Sequence, residues 1–173
     1  MKKIFLIVAL ITTSFFQNSF AQLVPTVRED STKTILLSQL LNSYYGIKNA
    51  LVSSDAKTAA TNAGGLLSAI NSVNMKALSE ADMNVFMPLQ EKLAFDAKHI
   101  SETKEIGHQR EHFSSLSNNI YKLAKDAKLS TEPVYQQYCP MKKMYWLSSE
   151  AAIKNPYYGK AMLTCGKVTD TLK

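Results

Sequence analysis

Apolar residues recur at steps of three and four through four stretches of the first 128 residues, a spacing typical of amphipathic helices. The first stretch runs from about Thr32 to Ser53, and the second follows the capping pair Ser54-Asp55. The third opens either at Ser79, whose hydroxyl can cap a helix, or at Pro88, which favours a first helical turn. The fourth carries its apolar stripe from Ile106 to Ala127. The residues expected to share one core are Leu40, Tyr44, Leu66, Ile70, Leu93, Phe113, Leu116 and Ile120.

Short connections between successive amphipathic helices favour antiparallel neighbours. The sequence therefore predicts an all-α fold, with an up-and-down four-helix bundle over residues 32–128. Within the second helix, Gly64-Gly65 costs roughly 1 kcal/mol per glycine relative to alanine. We therefore expect a neighbouring helix to approach closely at this pair, or the helix to kink there.

The composition changes after Lys128, where no long helical stripe continues. Residues 129–173 hold three of the prolines, both cysteines, the single tryptophan and five of the eight tyrosines. We expect a loop-rich C-terminal cap folded onto the bundle, with one short helix near residues 148–153. Bundle and cap together form a single predicted helical domain over residues 32–173.

The first 21 residues have the features of an export signal. Lys2 and Lys3 precede an apolar core over residues 4–16, and Ser19-Phe20-Ala21 places small residues at the positions that signal peptidases require. We expect cleavage after Ala21, followed by an extended leader over residues 22–31. The apolar core is too short to span a bilayer, and no later segment is long and apolar enough. The sequence thus predicts a soluble protein of the periplasm, or a secreted one.

Charge and motifs narrow the function classes. The full chain has a net charge of +6, and a surplus of four basic residues remains once Lys2 and Lys3 are removed. These residues are scattered, whereas a nucleic-acid-binding face needs a clustered stripe, so we expect no nucleic-acid partner. The chain lacks a haem-attachment motif, a serine-nucleophile motif, a phosphate loop and a four-cysteine zinc pattern, so we expect no enzyme.

Two sulfur-bearing clusters lie in the cap. Cys139 is followed by Met141 in a Cys-Pro-Met run, and Met162 precedes Cys165 by three residues. Thiolates and thioethers are soft ligands that select Cu(I) over hard cations, so these four residues are the predicted copper ligands. The alternative is a structural Cys139–Cys165 disulfide, the default for an even cysteine count in an oxidising compartment. The residues alone leave both interpretations open.

The run from His108 to His112 matches the His-x-x-Glu-His pattern of inverted zinc peptidases, with Glu111 in the place of the water-activating residue. Such an enzyme would need a third zinc ligand from another helix and a larger domain. The plainer interpretation is a solvated helix face. Between the two, His112 or His108 could lend an imidazole to a copper site in the cap. We expect His99 to be an ordinary surface residue.

Several tail motifs carry a resemblance to a known family. Tyr138-Cys139-Pro140-Met141, Trp146-Leu147-Ser148, Asn155-Pro156-Tyr157-Tyr158-Gly159 and Met162-Leu163-Thr164-Cys165-Gly166 resemble the bacterial domain of unknown function 3347. Residues 50–55 and 109–117 are similar to it as well, so the resemblance extends over about residues 37–172. The family occurs as short exported proteins and as a module on periplasmic adaptor subunits of copper and silver efflux pumps.

That resemblance implies heavy-metal handling. Cys139-Pro140-Met141 also resembles the Cys-Pro-Met core of small heavy-metal-binding domains attached to such pumps, but Lys142 replaces the histidine usual there. The predicted function is binding of Cu(I) in the periplasm, to buffer it or to pass it to an efflux adaptor subunit. The alternative is a non-catalytic interaction domain that contains the Cys139–Cys165 disulfide.

Overall fold

The computed structural model describes residues 27–173, with side chains from residue 38 onward. The predicted signal peptide and residues 22–26 of the predicted leader lie outside this range. Over the described residues the chain forms four α-helices, namely α1 (Val27–Ser53), α2 (Ala56–Asn71), α3 (Glu80–Glu102) and α4 (Ile106–Ala127). The first helix thus begins within the segment expected to be an extended leader.

Side-chain caps fix where two of the helices begin. The Asp55 carboxylate accepts the backbone N–H of Thr58 at the start of α2, and the Ser79 hydroxyl oxygen accepts that of Asp82 at the start of α3. Each bond satisfies a backbone donor that the first helical turn leaves without an intrahelical partner. The third helix therefore begins at the Ser79 cap, and Pro88 lies inside it.

The four helices form the predicted up-and-down arrangement. At one end, the buried Gln109 amide in the first turn of α4 donates to the carbonyls of Ala56, Ile100 and Thr103. The start of α2, the end of α3 and the start of α4 therefore meet at this end, as antiparallel neighbours must. The eight residues expected in the core are all fully buried, which confirms that prediction.

The close helix contact expected at Gly64-Gly65 is not found among the described residues. Helix α2 runs without a break through both residues, and a Cβ added at either would have no heavy atom within 4 Å. A close helix contact therefore does not explain the pair.

The prediction of an all-α fold is also wrong. The cap contains a three-stranded antiparallel sheet, formed by β1 (Val134–Cys139), β2 (Met144–Ser148) and β3 (Lys167–Leu172), in the order β2-β1-β3. The first two strands are rich in tyrosine and also contain valine and tryptophan, residue types that fit a pleated, half-buried surface. The fold is a four-helix bundle with an antiparallel sheet.

The predicted short helix over residues 148–153 is absent from the described cap. Ser148 instead ends β2, and a short 3-10 helix forms further on, at Gly159–Met162.

The sheet packs on the bundle through β2. Trp146 and Leu147 are fully buried, and the Leu147 N–H donates to the Tyr44 hydroxyl of α1 over 2.9 Å. Tyr44 and Ser117 of α4 share a hydrogen bond of 2.7 Å. Since the Ser117 hydroxyl donates to the Phe113 carbonyl, Tyr44 is the donor to Ser117.

Among residues 27–173, no helix is both long and apolar enough to cross a bilayer.

Candidate metal centres

Two clusters of metal-ligating side chains lie on different parts of the fold. The first, which we call the sulfur cluster, contains Cys139, Cys165 and Met144. Tyr138 pairs with Lys167 in the β1–β3 ladder, so Cys139 at the end of β1 lies beside the residues that precede β3. Both cysteines are free, and the Cys139 side chain lies close enough to Cys165 to affect the pKa of its thiol. The structure therefore brings together the two cysteines that the sequence singled out.

The two cysteines differ in access to solvent. Cys139 is fully buried, whereas Cys165 is only partly buried. Desolvation, followed by the neighbouring Cys139 sulfur, raises the pKa of the Cys165 thiol above its ordinary value. A thiol must lose its proton to ligate a metal, so an ion binding here has to displace a proton that Cys165 holds firmly.

The methionines fall in three different environments. Met141 lies in the turn between β1 and β2 and is 62% exposed. Met162 ends the short 3-10 helix, partly buried, and its carbonyl accepts the N–H of Cys165 over 3.1 Å. Met144 stands directly opposite Cys139 in the β1–β2 ladder. Opposed residues of an antiparallel pair project from the same face with Cβ atoms about 4.5–5.5 Å apart, so the side chains of Met144 and Cys139 are neighbours on one face of the sheet.

Sequence reasoning did not select Met144 as a ligand. The signal available was the pair of tyrosine-rich runs on either side of Pro140, which are joined by a short polar turn. Recognised as a β-hairpin, they would have paired Cys139 with Met144 across the turn. The helical interpretation of the cap hid this pairing.

A buried asparagine holds the loop that carries Cys165. The Asn155 amide donates to the Cys165 carbonyl over 2.7 Å, and its oxygen accepts the N–H of Tyr157 over 2.8 Å. Arg110 of α4 donates to the carbonyl of the intervening Pro156 over 2.8 Å. The Asn-Pro-Tyr motif of the tail therefore fixes the position of this loop against α4.

The second cluster, which we call the histidine cluster, contains all three histidines of the chain. His108 and His112 lie one turn apart on α4, and His99 comes from the last turns of α3. One ring nitrogen from each lies within 4.8 Å of one from each of the others. The rings of His99 and His112 are stacked, with centroids 4.5 Å apart. The expectation that His99 is an ordinary surface residue is therefore wrong, since it is partly buried in this cluster.

A buried carboxylate supports the histidine cluster. Nδ1 of His112 lies 3.0 Å from Oδ1 of Asp96, whose residue is only 3% exposed. Phe95 packs against the cluster from outside, with its ring centroid 4.3 Å from that of His99. From the sequence, His112 is a candidate outer ligand for a copper ion in the cap. In the structure it contacts Asp96 and His99 of α3 instead.

The helical hairpin explains why these residues meet. Residues 103–105 connect α3 to α4, and Asp96 and His112 lie equally far on either side of Lys104. In an antiparallel helix pair with a short connection, residues equidistant from the turn become neighbours. The predicted helices and their short connection were therefore enough to place His99 near His108 and His112.

The fold and these two clusters define a helical bundle, capped by an antiparallel sheet, whose side chains could hold metal ions. The chain belongs to the family described as "Protein of unknown function (DUF3347)", whose model matches residues 40–132. The match covers the bundle from Leu40 of α1 onward, including the histidine cluster, and ends before β1 begins. The tail motifs that suggested the resemblance lie outside the matched range. No curated protein and no solved structure matches the chain.

Proposed function

We propose that this protein is an exported metal-binding protein that holds Cu(I) at the sulfur cluster. The observation that carries the proposal is that the two free cysteines lie close together, Cys139 at the end of β1 and Cys165 just before the paired β3. Cu(I) is a soft ion that prefers thiolate and thioether ligands, and two converging thiolates supply the softest pair the chain has.

Thioethers complete the proposed ligand set. Met144 is the best placed, because the β1–β2 ladder puts it opposite Cys139. Met162 is joined to Cys165 by a backbone hydrogen bond and could turn towards the ion. Met141, on the exposed turn, is suited to a transient contact as the ion enters or leaves.

The proposed role is to buffer copper outside the cytoplasm, or to pass it to an efflux adaptor subunit. The resemblance noted in the sequence supports this, and so does the predicted export signal over residues 1–21. Partial exposure of Cys165 favours exchange, because an incoming ligand can reach the ion from that side. In such a transfer, a partner's thiolate or thioether binds the ion before Cys165 leaves it.

The proposed role is not enzymatic. Glu111, the residue that would activate water in a peptidase, lines a small pocket under the β1–β2 hairpin together with Arg110, Lys142 and Met144. Glu111 therefore lies on the side of α4 that faces the β1–β2 hairpin, whereas His108 and His112 pack towards α3.

The second candidate is an interaction domain with a Cys139–Cys165 disulfide, because the same closeness of the two cysteines favours it. Such a bond would close a loop of 27 residues. On the chain-entropy model it would contribute about 3 kcal/mol to the free energy of unfolding. Tyr145, Leu163 and Val168 are exposed apolar residues of the cap that could contact a partner.

The decisive experiment is an anaerobic Cu(I) titration against a competing chelator, with the mature, untagged protein. We expect one Cu(I) per chain, and binding about tenfold weaker or worse in Cys139→Ser and in Cys165→Ser. Met144→Leu should weaken binding by less. Its matched control is Met87→Leu, at an exposed position on α3, which should leave the affinity unchanged.

A thiol count on protein purified from the periplasm separates the two candidates. Two titratable thiols support the copper proposal, whereas none supports the disulfide. The copper proposal is also wrong if Cys139→Ser, shown to be folded by circular dichroism, binds Cu(I) as tightly as the wild type.

A further inference from the structure

We propose that His99, His108 and His112 form a second metal site, which takes a borderline divalent ion such as Zn²⁺. All three imidazoles of the chain meet at this one place, although one comes from α3 and two come from α4. Neutral imidazole is the commonest protein ligand for ions of this class, whereas softer ions prefer sulfur. The inference does not rest on copper binding at the sulfur cluster.

The spacing of the ring nitrogens is close to what a metal requires. Zinc binds histidine nitrogen at about 2.0–2.1 Å, which places two tetrahedral ligands about 3.3 Å apart. In the structure the three nitrogens lie within 4.8 Å of one another. The rings of His99 and His112 are stacked, so one of them has to turn before both can direct a lone pair at the same ion. Asp96 holds His112, so the ring that turns is the partly buried His99.

Asp96 is the positioning residue of this site. Its buried carboxylate lies 3.0 Å from Nδ1 of His112, so it accepts the Nδ1 proton and holds the ring in one orientation. Nε2 of His112 is then the nitrogen left with a lone pair for the ion. Metal-ligating histidines commonly donate their other ring N–H to a carboxylate, which fixes the tautomer and strengthens the ligand.

Three histidines leave one tetrahedral position for water or another ligand. A Zn²⁺ site closed by protein alone has four ligands, whereas three-ligand sites keep a position open. His108 is exposed, so solvent can reach the site. The site therefore suits reversible uptake of an ion from the surrounding medium, or bridging to a ligand from another molecule.

The test uses Zn²⁺, which has no redox chemistry with the cysteine thiols. The untagged mature protein competes with a chromogenic chelator for the ion, alongside three variants. We expect one tightly held Zn²⁺ per chain, with affinity about tenfold lower or worse in His99→Ala and in His108→Ala. Cys165→Ser should bind Zn²⁺ as the wild type does, because the sulfur cluster lies on the sheet.

The role of Asp96 has its own comparison. Asp96→Asn should lower the Zn²⁺ affinity by about 10–100-fold and change the visible spectrum of the Co²⁺-substituted protein, since His112 loses its orienting partner. Asp126→Asn, at an exposed position on the same hairpin, is the matched control and should change neither. A merely structural role for Asp96 would lower the melting temperature but leave the Co²⁺ spectrum unaltered.

Two outcomes would overturn the proposal. One is unchanged Zn²⁺ affinity in both His99→Ala and His108→Ala. The other is loss of the ion in Cys165→Ser while both histidine variants retain it. Because His99 and His108 are not in the buried core, both variants should fold, and circular dichroism checks this. Loss of Cu(I) binding in the cysteine variants alone would leave the zinc site standing.

Discussion

At the scale of single residues, two glycines respond in opposite ways to an added side chain. Gly159 adopts φ +57°, and a Cβ built there would lie 2.6 Å from the Ser54 hydroxyl and 2.9 Å from the Arg110 guanidinium. Gly64 is helical, and nothing lies near its missing Cβ. The first glycine is therefore required by the contact between the cap and the end of α1, whereas the second is a local weakness of α2.

Gly64→Ala should raise the free energy of unfolding by about 0.5–1 kcal/mol, because alanine restricts the unfolded chain and favours the helix. Gly159→Ala should lower it by more than about 1 kcal/mol, because the left-handed backbone and the crowded Cβ both oppose the change. Urea denaturation of the two variants beside the wild type measures both effects. Stabilisation by Gly159→Ala would contradict the described contact with Ser54 and Arg110.

Single residues also show how far the sequence determined the candidate sites. The sequence was enough to predict that Cys139 and Cys165 lie close together, because both a shared metal ion and a disulfide require it. Met144 depends on the strand register, and His99 depends on the pairing of two helices. Neither register nor pairing is visible in a ligand motif that is read along the chain alone.

At the scale of elements, β3 is joined to α4 by one side-chain bond. The Tyr121 hydroxyl donates to the Asp170 carboxylate over 2.6 Å. This bond, with the N–H of Thr171, holds the pKa of Asp170 below its usual range. A depressed carboxyl pKa contributes stability above the pKa of the unfolded chain, and that stability is lost as the pH falls through the folded pKa.

Tyr121→Phe should raise the pKa of Asp170 towards the ordinary value of about 3.9, because its main hydrogen-bond donor is gone. The variant should also be less stable at neutral pH, and the difference from the wild type should shrink as the pH falls below about 4. Carboxyl titration by NMR, with urea denaturation at neutral and acid pH, measures both effects. A constant difference in stability at every pH would show that the tyrosine acts only through packing.

The elements also show why the helices were predictable and the sheet was not. Each helix has a long apolar stripe, and Asp55 and Ser79 cap two of them in the expected way. The strands have only five or six residues, and in β1 the burial pattern does not alternate regularly. Their pairing depends on long-range contacts, such as Trp146 in the core, so local periodicity gave no indication of a sheet.

At the scale of the whole molecule, the bundle and the sheet share buried bonds. Tyr44 links α1 to Ser117 of α4 and to the backbone of Leu147 in β2. Arg110 donates both to the Pro156 carbonyl in the cap and to the Leu51 carbonyl at the end of α1. These bonds couple the sheet, which carries the sulfur cluster, to the helices that the family match covers.

We therefore expect the molecule to unfold in a single transition. Trp146, the one tryptophan of the chain, reports on β2 by fluorescence, and far-ultraviolet circular dichroism reports mainly on the helices. The two curves in urea should coincide. Tyr44→Phe should lower the free energy of unfolding by about 1–3 kcal/mol, because the buried Leu147 N–H loses its acceptor. Both curves should therefore move together to lower urea concentration. Earlier loss of the fluorescence signal in the wild type would mean that the sheet unfolds separately.

The pairing of β1 with β3 has a consequence for the behaviour of the cap under mechanical load. The chain enters the sheet at Val134, and the partner of that residue is Leu172, where β3 ends. Tension applied between these two points would break the hydrogen-bonded pairs of the ladder one after another, beginning at Val134 and Leu172. Resistance to pulling would rise only when the peeling reached Cys165, where a bridging metal ion or a disulfide would stop it.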